Sequence, residues 1–108
     1  MNYGYYKKRG SEMDNWDAYY DVYCYVPDDE KIYYDEICSS RSLNYLLNIM
    51  GEGDSLHLAN FLDLGRGWNK VISVLYALND NNIRLFIMND EINIDNLIYA
   101  ITGEEVAK

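Results

Sequence analysis

Along the second half of the chain, apolar residues recur with helical spacing. Leu43, Leu46, Leu47 and Met50 fall at i, i+3, i+4 and i+7, one face of a helix. Ser42 before them suits an N-cap, and Gly51 after them suits a left-handed stop. Trp68, Val71, Ile72, Leu75 and Leu78 make a second stripe, which ends at the Asn79-Asp80-Asn81-Asn82 cluster. A third helix is predicted through Leu97, Ile98 and Ile101, capped by Asp95 and stopped by Gly103. Between them, Leu56 and Leu58 alternate with His57 in a short strand within 55–61. Residues 83–88 are a compact apolar run, the pattern of a strand covered on both faces. Strands and helices in alternation predict βαβ units and a mainly parallel sheet.

The first half is written in tyrosine: ten of the twelve Tyr lie between Tyr3 and Tyr45. Residues 3–8 and 31–37 read as strands. Residues 11–20 read as a helix capped by Ser11 or Asp14, with Met13, Trp16 and Tyr20 on one side. Residues 20–26 carry two opposed signals. Val22, Cys24 and Val26 alternate with Tyr23 and Tyr25 as in a strand, and the turn at Pro27-Asp28-Asp29 would make a hairpin with 31–37. A parallel neighbour to the first strand requires a helical crossover instead. The expectation is one α/β domain over residues 1–108. It has a mainly parallel sheet of about four strands with helices on both faces.

Composition narrows the chemistry. Eighteen acidic residues against nine basic give a net charge of −9, which works against broad binding to DNA phosphates. One His and two Cys cannot supply the usual four zinc ligands, so neither a metal nor a cofactor is expected. No apolar run reaches the roughly 18 residues of a membrane helix. The first ten residues lack the apolar core of a signal peptide. These features predict a cytoplasmic protein with reduced thiols, Cys24 and Cys38 acting as small core residues.

Glu52-Gly53-Asp54-Ser55-Leu56 through Leu64-Gly65-Arg66 resembles the catalytic domain of serine recombinases, the resolvase/invertase family. The Met1-Asn2-Tyr3-Gly4-Tyr5 segment resembles that family's first strand, and residues 31–37 its second, with Ser39, Ser40 and Arg41 following. Residues 83–95 resemble its fourth strand and the Asn/Glu-x-Ile-Asp after it. The resemblance implies a resolvase-like fold but not its chemistry. The family's nucleophilic Ser at the end of the first strand corresponds to Arg9, which cannot attack a phosphate. A phosphate-binding Arg corresponds to Asp63. The long helix that forms the family's dimer and leads to its DNA-binding domain has no counterpart before Lys108. The resemblance therefore implies a degenerate, non-catalytic relative, a monomer or weak homodimer, in a mobile-element or phage setting.

Three groups of residues are candidates for a site. Lys7, Arg9, Arg41 and Arg66, with Lys8, would meet at the carboxyl edge of a resolvase-like sheet, either as a surviving phosphate pocket or as surface cations near one another. Ser39, Ser40 and Ser42 lie near that edge. Pairing one of them with His57 would make a nucleophile, but a core His satisfied by one hydrogen bond and a helix-capping Ser42 explain the same residues. Tyr19, Tyr20, Tyr23, Tyr25, Tyr33 and Tyr34 cannot all be buried in so small a domain. Exposed Tyr beside acids suits a protein interface better than stacked bases, which need a basic groove. The acids Asp14, Asp17, Asp21, Asp28, Asp29, Glu30, Asp35 and Glu36 read as a solvated face, as steering toward a basic partner, or as mimicry of DNA phosphates. The function expected is a protein-interaction or regulatory module. Its partner would be a recombinase or other nucleic-acid enzyme, with DNA binding weak or absent. The alternatives are a DNA-binding or recombination protein with a working phosphate site, and an acidic inhibitor that mimics DNA.

Overall fold

The computed structural model describes residues 1–8 and 11–103. Five strands form one sheet: β1 (Asn2–Lys7), β2 (Ile32–Asp35), β3 (Ser55–Leu58), β4 (Arg84–Ile87) and β5 (Asp90–Ile92). Their order is β2-β1-β3-β4-β5. The first four are parallel, and β5 returns antiparallel to β4. The helices are α1 (Glu12–Tyr23), α2 (Arg41–Ile49), α3 (Trp68–Asp80) and α4 (Ile94–Thr102).

The topology dictates which helix covers which face. The chain steps from β1 to β2 in one direction and from β2 through β3 to β4 in the other. Right-handed crossovers then put α1 on one face and α2 and α3 on the opposite one. The packed core lies on the second face. There Tyr3 and Tyr5 of β1, Leu56 and Leu58 of β3 and Leu85 of β4 meet Leu43 and Leu46 of α2. The same cluster takes in Val71, Val74, Leu75 and Leu78 of α3, and Ile94 and Ile98 of α4.

The predicted α/β class holds, as do the three helices of the second half. The fifth strand goes beyond the expected four. Met88 and Asn89 both adopt positive φ, 49° and 70°, and turn the chain in a two-residue hairpin. The three-residue β5 carries Asp90 and Glu91 and has too few apolar positions to show a period.

In the first half, the crossover requirement overrides local β-propensity. Residues 20–23 belong to α1, and Tyr25 and Val26 follow in a turn whose N–H groups donate to the Val22 carbonyl. Ser11 caps the helix, accepting from the Asp14 N–H at 3.1 Å. The inward face is not Met13, Trp16 and Tyr20, which are 70%, 52% and 56% exposed. It is Asn15, Ala18, Tyr19 and Val22, spaced i, i+3, i+4, i+7. Val22 settles onto Gly4 of β1, where a Cβ would stand 2.3 Å from Val22 Cγ1.

Candidate functional site

At the carboxyl edge of the sheet, β2 ends in Asp35, which is 4% exposed. Its Oδ2 accepts from the Tyr5 hydroxyl at 2.7 Å and from the Leu43 N–H at 3.0 Å. Its Oδ1 accepts from the Ser42 N–H at 2.8 Å and, at 3.5 Å, from the Ser39 hydroxyl. Burial alone would raise this carboxyl. The Ser42 N–H, the Tyr5 hydroxyl and the Leu43 N–H outweigh burial and hold it below the ordinary Asp value. Tyr5 moves the other way, raised well above an ordinary phenol by burial, by its bond to Asp35 and by the charges of Asp35 and Asp63. Asp35 is therefore no solvated acid. Its oxygens accept from Ser42 and Leu43 at the start of α2, where Ser42 was the expected cap.

This arrangement answers the expectation of a phosphate pocket at the edge. Of the N–H groups that open α2 and could bind an anion, those of Ser42 and Leu43 already hold the chain's own carboxylate, and that of Arg41 donates to the Ser39 hydroxyl at 3.2 Å. Lys7 ends β1 with its stem buried, and Arg9 lies outside the described residues. Arg41 opens α2 and lines a shallow cavity of about 490 Å³ with Asp35, Glu36, Ser39 and Ser42, a cavity that neither Lys7 nor Arg66 lines. Arg66 donates from Nη1 to Cys38 Sγ at 3.4 Å. Cys38 and Cys24 are exposed, a correction to their expected place in the core. Among the described residues, no cluster of His, Cys, Asp and Glu could hold a metal ion. No helix among them is long and apolar enough to cross a membrane.

His57 also departs from expectation. The residue is buried in β3, its ring stacked on Phe86 with centroids 4.6 Å apart. Neither ring nitrogen has a hydrogen-bond partner among the described residues, so no Ser–His pair exists there. Burial, and then the charge of Arg84, lower its pKa from 6.5. The unfolded chain therefore takes up a proton as pH falls below about 6.5 while the folded ring resists it, so stability declines with falling pH in that window. His57→Phe keeps the stacked ring and removes two unpaired nitrogens. Urea unfolding should show a gain of about 1 kcal/mol and a flatter pH dependence below 6.5. An unchanged slope would remove His57 as its source.

On the other face, α1 and β2 frame a groove of about 780 Å³. Its lining includes Tyr6, Trp16, Tyr19, Tyr20, Tyr23 and Tyr34. The six rings form one connected array. Tyr34 stacks on Tyr6 at 5.7 Å, and Tyr6 meets Tyr19 edge-on at 6.1 Å. Tyr19 stacks on Tyr23 at 5.7 Å and contacts Trp16 edge-on at 6.2 Å, and Trp16 stacks on Tyr20 at 5.8 Å. Trp16, Tyr20, Tyr23 and Tyr34 all stay exposed. Burial, then the neighbouring Tyr34 and Glu36, raise the Tyr6 phenol above its usual value.

Of the six Tyr singled out in the sequence, the fold gathers Tyr19, Tyr20, Tyr23 and Tyr34. Tyr33 alternates to the opposite face, against Tyr3 and Tyr45, and Tyr25 does not line the groove. Trp16 is the residue that sequence reasoning missed as a surface group. Its i, i+3, i+4, i+7 relation to Tyr19, Tyr20 and Tyr23 is the signal that could have found it. Comparison with protein-family models and with curated proteins finds no match to this chain.

Proposed function

We propose that this chain is a non-catalytic protein-interaction module whose binding surface is the aromatic groove between α1 and β2. The observation that carries the reading is the connected array of six rings, four of them exposed. Large, rigid side chains with polar tips lose little entropy on binding and dominate protein interfaces. The absence of a free anion site at the start of α2, together with the net charge of −9, speaks against the phosphate-binding alternative. The resemblance to serine recombinases agrees with this reading, since it puts Arg9 where a nucleophile would be needed. It would make the partner a recombinase or another nucleic-acid enzyme of a mobile element or phage.

The test is affinity capture from nuclease-treated lysate with the wild type and with Trp16→Ala/Tyr20→Ala/Tyr34→Ala. A stoichiometric protein partner retained by the wild type and lost by the variant is expected. The three positions are exposed, so the variant's unfolding free energy should change by no more than about 1.5 kcal/mol, about 0.5 for each. Retention by the triple variant, or capture only while nucleic acid is intact, would overturn the proposal.

A further inference from the structure

We infer that the aromatic groove recognises a cationic side chain, the guanidinium or ammonium of an Arg- or Lys-bearing segment of its protein partner. This rests on the interaction reading above and deepens it.

The first argument is that one of the rings already holds a cation. Lys8 Nζ lies 4.4 Å from the centroid of Tyr34, with Glu36 Oε1 at 3.6 Å. Tyr34, with the Glu36 carboxylate as the second partner of the same ammonium, is thus a cation site at the edge of the groove that Tyr34 and Lys8 line. The second argument is charge. Glu12 and Asp29 line the groove among the rings. The helix that supplies four of the rings contains Glu12, Asp14, Asp17 and Asp21 and no basic residue. Among the described residues, Lys8 is the one cation in the lining. An anionic ligand, nucleic acid included, would meet the rings and be repelled by the rim. An uncharged segment would gain ring contact and forgo the acids. A guanidinium gains both, and its plane stacks on Trp16 or Tyr20 as an ammonium cannot.

Lys8 supplies a test that a merely greasy groove would not answer. It occupies Tyr34 and Glu36 and adds a positive charge where the partner's cation would sit, so its removal should improve binding.

The experiment is a calorimetric titration of the intact protein with a blocked Gly-Arg-Gly-Arg-Gly peptide, a matched Gly-Gln-Gly-Gln-Gly peptide and a short oligothymidylate. Saturable binding of the Arg peptide is expected, weakening with added salt. The Gln peptide should bind at least about tenfold more weakly, and Trp16→Ala should weaken the Arg peptide about fivefold. Lys8→Met should tighten the Arg peptide by about twofold or more. Equal binding of the two peptides ends the cation inference and leaves the interaction reading standing. So does an Arg peptide that fails to saturate, an oligothymidylate that binds better, or a Lys8→Met change that weakens binding. The interaction reading itself fails by the capture experiment, through retention by the triple variant or capture only while nucleic acid is intact.

Discussion

Asp35→Ala is expected to lose about 3–5 kcal/mol of stability, a large share of what a domain of this size has. The figure follows from what the carboxylate holds. Losing the cap of α2 costs about 1–2 kcal/mol. Leaving the buried Tyr5 hydroxyl without its acceptor costs about 1–3 kcal/mol more. The backbone N–H groups of Ser42 and Leu43 lose a charged acceptor at 2.8 and 3.0 Å, and these charge-assisted bonds are the strong ones. Urea unfolding at constant slope measures the loss. Asp35→Asn, which keeps one acceptor oxygen, should fall between the wild type and Ala. The acid limb of the stability curve reports the same group. The folded carboxyl lies below its ordinary value of 3.8, so between the folded and unfolded values the unfolded chain binds the extra proton. The contribution is complete above the unfolded value and is lost as pH falls through the folded one. Asp35→Ala should flatten that limb. A loss under about 1 kcal/mol would mean that water replaces the carboxylate at no great cost, and that α2 is held by its apolar face alone.

Gly4→Val should separate α1 from the sheet and dismantle the groove. A Cβ at position 4 would meet Val22 Cγ1 at 2.3 Å and Ile32 Cγ1 at 3.3 Å. Val22 is the one buried residue of α1, so the helix has no second anchor to pivot on. Overpacking of this kind costs about 1–3 kcal/mol. The larger effect is on binding, because Tyr19 and Trp16 ride on the displaced helix while Tyr6 and Tyr34 stay with the strands. Loss of partner capture with the sheet retained, followed by near-ultraviolet circular dichroism of the Tyr array and by the unfolding midpoint, is the expected combination. Val22→Ala in the same chain should restore part of the binding by opening the space the new side chain needs. If the single variant binds like the wild type, the groove does not depend on this contact.

The sequence was readable where burial is one-sided and wide. Leu43, Leu46, Val71, Leu75, Leu78 and Ile98 face a four-strand floor and are fully buried, so the apolar stripe and the packed stripe coincide. α1 lies over a narrow floor, and there the rule misleads. Met13, Trp16 and Tyr20 make its evident apolar side, but the contact that fits against Gly4 is Val22. Trp16 and Tyr20 were left outside, where they help to build the groove. Asp35 looked like one more acid in a run. Only the topology, which carries the end of β2 to the start of α2 within six residues, turns it into a cap. Tyr33 and Tyr34 illustrate the same limit. Alternation correctly sends them to opposite faces, but not which of the two faces is left open.

β1 is an interior strand of the sheet, second from the β2 edge, and the first in the chain. Its partners are β2, and then β3, whose Ser55 N–H reaches back to the Met1 carbonyl at 3.0 Å. On a ribosome, β1, α1 and β2 can assemble as a unit once residue 35 has emerged, but the other edge of β1 stays open until residues 55–58 follow. For that interval a Tyr-rich strand edge is bare, which invites pairing between neighbouring nascent chains. The acids of α1 and of the turn at Asp28, Asp29 and Glu30 lie on that same early unit. Like charges on such a unit oppose its pairing with a second copy.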